Sequence, residues 1–77
     1  MTLDLRGLSY IDSFRQIRDA ITLSRSVKEE VIAFVEAHEN EKCSLLIGFI
    51  ELLMDCKTIL KESNGFYMLK IIPSVAV

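Results

Sequence analysis

The stretch Leu3–Ser13, "LDLRGLSYIDS", decides the fold, because a strand, a turn and the approach to a helix follow one another within it. Leu3 and Leu5 alternate with polar residues, and this period of two is typical of a half-buried strand. Gly7 breaks the alternation and indicates a turn. The stretch therefore predicts a strand over residues 2–6 that turns at once into a helix.

The helix after this turn has both a start signal and a buried face. Ser13 and Gln16 have the spacing of a capping box, in which a serine and a glutamine three residues later satisfy backbone N–H groups of the first turn. Polar residues take one side of the following turns, and apolar residues recur at helical spacing on the other. These apolar positions are Phe14, Ile17, Ala20 and Ile21.

The segment Glu30–Ala37, "EVIAFVEA", is short and apolar on both faces. Its helix propensity leaves a helical hairpin with the preceding helix open as an alternative. However, β-branched and aromatic residues dominate the segment, and such runs favour a buried strand. We predict a strand here.

A second helix is predicted after the polar break at residues 38–41, with Asn40 or a neighbouring residue as its cap and an end near Asp55. Steps of 100° per residue place a polar stripe on one side and leave an unusually wide apolar arc on the other. The stripe consists of Ser44, Gly48, Glu51 and Asp55, and the arc of Leu45, Leu46, Ile47, Phe49, Ile50, Leu52, Leu53 and Met54.

The final section predicts a hairpin around Ser63–Phe66, where Asn64-Gly65 separates two strand-like runs. Asn and Gly tolerate the positive φ angles of a type I′ turn. Pro73 ends the last strand, and residues 73–77 are predicted to form a loose tail. Counting outward from the turn pairs Leu60 with Leu69, Thr58 with Ile71, and Glu62 with Tyr67.

The predicted fold is a single domain over residues 1–77 with the order β-α-β-α-β-β. The connections are short, so both helices should cover one face of a four-stranded mixed sheet. This is an α/β arrangement of the α+β type, a two-layer sandwich. The other sheet face has no covering layer. Its apolar residues are therefore either an aggregation liability or a docking surface.

Composition excludes several classes of function. The net charge is −2 and the nine Lys and Arg residues are scattered, which argues against nucleic-acid binding and against a polybasic membrane patch. The most apolar stretch, Cys43–Met54, is shorter than the ~20 residues of a membrane span, so we expect no membrane insertion. We expect a cytoplasmic protein with reduced thiols and no cofactor. One histidine, His38, and two distant cysteines predict no metal site and a solvated imidazole.

The opening "LDLRGL" at residues 3–8 resembles the first strand and turn of the TusA family, also called SirA-like, which are small bacterial and archaeal sulfur carriers. "FRQIRDAI" at 14–21 and "IELLMDCKTILKESNGFYMLKI" at 50–71 are similar to the family's first helix and to its second helix and closing hairpin. The resemblance covers nearly the whole chain and implies the same β-α-β-α-β-β fold.

The resemblance also implies a Cys-Pro-x-Pro element directly after the first turn, whose thiolate carries a persulfide sulfur. Here the corresponding residues are Tyr10-Ile11-Asp12-Ser13. A phenol offers oxygen instead of a polarizable sulfur and cannot form a persulfide. We therefore predict that this chain keeps the family's fold and lacks its sulfur-carrier chemistry.

The first hypothesis is a non-catalytic protein-interaction or regulatory module linked to sulfur handling. Tyr10, Arg6 and Asp12 are its candidate partner-binding residues, because an exposed aromatic side chain at a turn suits protein contact. Asp4 and Arg6 have a structural reading as well, as a pair on one face of the first strand that fixes the turn.

The second hypothesis is a displaced sulfur carrier that uses Cys43, since a position near a helix start can lower a thiol pKa. Cys43 and Cys56 also have a simpler reading as packing residues. A third possibility is self-association through the apolar arc around Ile47 and Met54. The chain would then be a weak homo-oligomer instead of a monomer. No other catalytic residue is predicted.

Overall fold

The computed structural model describes residues 1–27 and 29–73 and confirms the predicted order β-α-β-α-β-β. The predicted tail 73–77 lies outside the described residues except for Pro73, which ends the last strand. The elements are β1 (Thr2–Asp4), α1 (Tyr10–Val27), β2 (Val31–Glu36), α2 (Asn40–Gly48), a π-helical segment (Phe49–Leu53), β3 (Cys56–Ser63) and β4 (Phe66–Pro73).

The four strands form one mixed sheet in the order β1-β2-β4-β3. β1 and β2 are parallel, and the other two neighbouring pairs are antiparallel. Parallel neighbours need a crossover, and α1 supplies it. The helical-hairpin alternative for residues 30–37 is wrong, because β2 pairs with strands on both sides and alternate residues from Val31 to Val35 are fully buried.

Both helices pack on one sheet face, as predicted. One buried cluster contains residues from α1, α2, the π-helical segment and all the strands or their ends, so it lies between the two layers. Ile17 and Ile21 are its fully buried members on α1. Its remaining members are Leu5, Ala20, Val31, Ala33, Val35, Cys43, Leu46, Ile50, Cys56, Leu69 and Ile71.

The closing hairpin has the predicted register, and its turn differs from the predicted type. The three predicted pairs, Leu60–Leu69, Thr58–Ile71 and Glu62–Tyr67, are all observed. Of the two turn residues, Gly65 has a φ of +78° and Asn64 does not have a positive φ. A type I′ turn needs positive φ at both positions, whereas this combination of signs matches a type II turn. Asn accepts either conformation, so its presence did not determine the type.

The predicted start of α1 is wrong by four residues. The helix begins at Tyr10, and the Ser9 hydroxyl accepts a hydrogen bond from the Asp12 N–H at 3.1 Å, as an N-cap residue does. Ser13 lies inside the helix, fully buried, and its Oγ has no hydrogen-bond partner within residues 1–27 and 29–73. The cap is therefore the serine that precedes the predicted one.

The N-cap position of α2 falls on the residue beside Asn40, within the predicted choice, but no side chain caps the helix there. Glu39 occupies the N-cap position without a side-chain capping bond, and Asn40 is the first helical residue. The Asn40 Oδ1 instead accepts a hydrogen bond of 2.5 Å from the Tyr67 hydroxyl of β4. This bond ties the start of α2 to the sheet.

The predicted second helix changes from α-helical to π-helical geometry at Phe49. Its last turn closes with a Met54 N–H to Phe49 carbonyl bond of 3.2 Å, an i→i+5 pattern. A period of 100° per residue no longer holds there, and the predicted arc does not pack as a whole, since Leu45 in the α-helical part is exposed as well. Leu52 and Leu53 are 85% and 74% exposed, whereas Ile50 is buried. Neither helix of the described chain combines the length and the hydropathy that crossing a bilayer requires.

Candidate interaction site at the β1–α1 turn

Tyr10 is the first residue of α1, whereas the sequence prediction placed it in the turn before the helix. Its side chain is 40% exposed, and the neighbouring Ile11 is more exposed still. Asp12, in the first helical turn, is exposed and lies 3.7 Å from the Arg15 guanidinium. An acidic residue in the first turn is favoured by the helix dipole, so Asp12 supports the helix start. The turn thus presents an aromatic and an aliphatic side chain to solvent beside a carboxylate.

Asp4 and Arg6 form the predicted pair. The Arg6 guanidinium donates to both carboxylate oxygens of Asp4 at 2.9 Å, and the Arg6 backbone N–H donates to Oδ1 at 3.1 Å. These bonds to Arg6 lower the pKa of Asp4 to about 2, and the same carboxylate raises the pKa of Arg6. Both side chains are exposed, so the pair fixes geometry more than it adds stability.

A buried lysine donates hydrogen bonds to the β1–α1 turn. Lys42 of α2 is 1% exposed, and its Nζ donates to the carbonyl oxygens of Leu5 and Leu8, each at 2.8 Å. Its Nζ also lies 3.5 Å from Oε2 of Glu39. The turn itself is closed by a Leu8 N–H to Leu5 carbonyl bond of 3.3 Å, and Gly7 adopts a φ of +77° that favours glycine.

Lys42 was missed by sequence reasoning. A lysine near a helix start is usually solvated, and no periodic signal separates this one from the exposed charges around it. The only available signal is that Lys42 falls next to Cys43 at the edge of the apolar arc of α2. Burial becomes favourable only because three acceptors, which come from two separate segments, converge on the ammonium group.

The predicted binding residues lie around the same turn, but they do not bind one another. Arg6 precedes Gly7, whereas Tyr10 and Asp12 follow it, and all three side chains are exposed. Within residues 1–27 and 29–73, no hydrogen bond or ion pair joins any two of the three. Arg6 is instead paired with Asp4, and Asp12 lies beside Arg15.

Arg6 connects the turn with the open face of the sheet. Its guanidinium lies over the ring of Phe66, 5.8 Å from the centroid, and Phe66 packs edge-on against Phe34 at 5.5 Å. Arginine over an aromatic face is a favourable contact. The apolar side chains on this face are half-buried or exposed, and they are Ile32, Phe34, Ile59, Phe66, Met68 and Ile72.

Both cysteines are buried and free. Cys43 is buried, and desolvation by burial raises its pKa, which is the direction opposite to the lowering expected from a helix start. Cys56 is buried at the start of β3, where its thiol donates to the Met54 carbonyl at 3.3 Å and accepts from the Arg25 guanidinium at 3.7 Å. Both cysteines lie in the core cluster, as the simpler reading predicted.

A second group of polar side chains lies at the β2–α2 turn. Glu36, His38 and Glu39 each bring one potential ligand atom into a space where these atoms lie within 4.8 Å of one another. His38 is exposed, as predicted. The sequence-based prediction of no metal site considered only histidine and cysteine, and it overlooked the two glutamates that flank His38 in the segment "EAHE".

Comparison of this chain with models of protein families, with curated proteins and with solved structures gives no match. The similarity to the TusA family therefore rests on the residues quoted above and stays a prediction. The functional proposals therefore rest on the geometry of the β1–α1 and β2–α2 turns.

Proposed function

We propose that this chain is a non-catalytic protein-interaction module linked to sulfur handling, and that it binds a protein partner through the β1–α1 turn. The observation that carries the proposal is the exposed Tyr10 at the helix start, on a turn whose backbone is fixed from both sides. The link to sulfur handling rests on the resemblance of the opening stretch to sulfur carriers, in which this position holds the carrier cysteine.

The rigidity of the turn favours binding. Lys42 holds its carbonyl groups, Asp4 holds Arg6, and Ser9 caps the helix, so the residues between them have little freedom to lose. A surface that is already ordered pays less entropy when it binds a partner. Tyrosine adds a large contact area with few rotatable bonds, which is why it is enriched at protein interfaces.

The chemistry of the turn supports binding over catalysis. Its exposed groups are a guanidinium, a phenol, an aliphatic side chain and a carboxylate, and the carboxylate of Asp4 is occupied by Arg6. A charged rim around an aromatic centre is the usual composition of a protein-binding patch. The burial of Cys43 and its raised pKa speak against the displaced sulfur carrier, because the thiolate is the reactive form.

The test is a comparison of variants against one purified partner. Affinity capture from the source cell with the full chain as bait identifies candidates, and calorimetric titration with the purified candidate measures affinity. We expect Tyr10→Ala to weaken binding by about thirtyfold, the size of an interface hot spot of ~2 kcal/mol. Leu23→Ala is the matched control, because Leu23 is an exposed apolar residue near the other end of the same helix.

The double variant Cys43→Ser, Cys56→Ser separates the two hypotheses. Its affinity for the partner should equal that of the native chain if no thiol takes part. Equal affinities of native protein and Tyr10→Ala would contradict the proposal, and loss of binding in the cysteine double variant, with an unchanged circular dichroism spectrum, would favour the sulfur carrier.

A further inference from the structure

We propose that Glu36, His38 and Glu39 form a binding site for a divalent transition-metal ion such as Zn²⁺, independent of the proposed protein contact. One imidazole nitrogen and one oxygen from each carboxylate lie within 4.8 Å of one another at the end of β2. The three residues fall within four positions of the chain, so a single turn brings them together.

The spacing of the ligand atoms suits a small ion. Zn²⁺ binds nitrogen and oxygen at about 2.0–2.2 Å, so tetrahedral ligand atoms lie about 3.4 Å apart. The His38 Nδ1 is already 3.1 Å from Oε2 of Glu36, so this pair needs almost no movement. His38 is exposed and can rotate to bring in the third ligand. Three protein ligands leave the fourth position for water or a further group.

Glu39 provides a separate indication of a cation. Its Oε1 is shielded from solvent and has no hydrogen-bond partner among the residues that the structure describes. A buried carboxylate oxygen without a partner costs free energy, and a cation bound there would relieve that cost. The backbone of the turn is already fixed, because the Glu39 N–H donates to the Glu36 carbonyl at 3.0 Å and the Ala37 N–H to the Gly65 carbonyl at 3.1 Å.

Lys42 sets the charge of the site. Its ammonium lies 3.5 Å from the other oxygen of Glu39, so it offsets one of the two carboxylate charges. Hard ions such as Mg²⁺ and Ca²⁺ prefer sites of several oxygen ligands, whereas imidazole favours zinc and its neighbours. A site with one imidazole and one net negative charge should therefore select Zn²⁺ over Mg²⁺ and Ca²⁺.

The single histidine of the chain allows a direct test. Zn²⁺ is titrated into the full chain while calorimetry records the heat and NMR records the imidazole resonances. We expect saturation at one equivalent, with the His38 ring signals shifting in step with the heat, and no comparable response to Mg²⁺ or Ca²⁺. Binding with an unperturbed His38 ring, equal binding of Mg²⁺, or no binding would overturn the proposal.

Matched variants locate the ion. His38→Ala and Glu36→Gln should each weaken Zn²⁺ binding at least tenfold, and Glu62→Gln, an exposed glutamate on β3, should leave it unchanged. Cys43→Ser, Cys56→Ser should bind Zn²⁺ as the native chain does. Loss of binding in the cysteine variant alone would assign the ion to the thiols and overturn the proposal.

Discussion

The two strand-to-helix junctions of this molecule differ in how their polar groups are satisfied. The β1–α1 junction has a glycine at φ +77°, a serine cap and a turn whose carbonyls accept from a buried ammonium. The β2–α2 junction has no side-chain cap at its helix start, and it leaves one glutamate oxygen without a partner. The turn of the first junction is held by a side-chain cap and a buried ammonium, whereas the helix start of the second junction has no side-chain cap.

Lys42 connects the two junctions. It donates to the Leu5 and Leu8 carbonyls of the first and lies beside the Glu39 carboxylate of the second. One buried charge therefore fixes the turn that presents Tyr10 and also sets the charge next to His38. The geometry of the turn beside Tyr10 therefore depends on a residue that is distant in sequence.

Removing this lysine should give the largest effect on stability. Lys42→Met keeps the aliphatic stem but leaves two carbonyls and the Glu39 carboxylate without their donor. We expect the free energy of unfolding to fall by about 3 kcal/mol, the usual cost of breaking a buried charge pair. Urea denaturation followed by circular dichroism measures it.

Two further variants sharpen the interpretation of Lys42. Lys61→Met, which changes an exposed lysine on β3, should stay within about 0.5 kcal/mol of the native chain. Lys42→Met combined with Glu39→Gln should be less destabilised than the sum of the single variants, because the unpaired charge is gone. A loss equal to that of Lys61→Met would show that the buried ammonium does not hold the junctions.

The serine cap of the first junction should give an intermediate effect. Ser9→Ala removes the acceptor for the Asp12 N–H and should cost about 1 kcal/mol. Ser13→Ala removes a buried hydroxyl without a partner, so it should be neutral or stabilising. Thermal unfolding of both variants checks this, and a larger loss for Ser13→Ala would restore the capping box predicted from the sequence.

The Asp4–Arg6 pair should give the smallest effect, visible as a pH dependence. The pKa of Asp4 in the folded chain, about 2, lies below the value of 3.8 for an unpaired aspartate, so its stabilisation is present above pH 4 and is lost as the pH falls through 2. A carboxyl NMR titration should give a midpoint near 2 in the native chain and a higher one in Arg6→Gln. An ordinary midpoint in the native chain would contradict the pair.

The sequence predicted the fold where local patterns act within one element or one hairpin. The alternation in residues 2–6 and the apolar run of 30–37 predicted the existence of β1 and β2, although β1 ends at Asp4, and the spacing around Asn64-Gly65 predicted the hairpin register. Each pattern needs only neighbouring residues to decide which side is buried. The candidate residues Arg6, Tyr10 and Asp12 were likewise placed at the turn from sequence alone.

The features that the sequence did not predict depend either on residues distant in sequence or on a choice between two equally acceptable residues. Ser9 and Ser13 are both acceptable caps in sequence, and only the packing of α1 decides between them. The burial of Lys42 requires acceptors from the β1–α1 turn and from the turn before α2. No short stretch of sequence contains both, so the burial cannot be predicted locally. The widening of the helix at Phe49 likewise changes the exposure of residues that a regular period predicts to be packed.

The most direct test of the central claim is a sulfur-transfer assay on the native chain. The chain is incubated with a cysteine desulfurase and cysteine beside an active sulfur carrier, and intact mass spectrometry reads both. We predict that the carrier gains sulfur while this chain keeps its mass, because its thiols are buried and a phenol stands at the start of α1. A sulfur adduct on Cys43 would contradict the account.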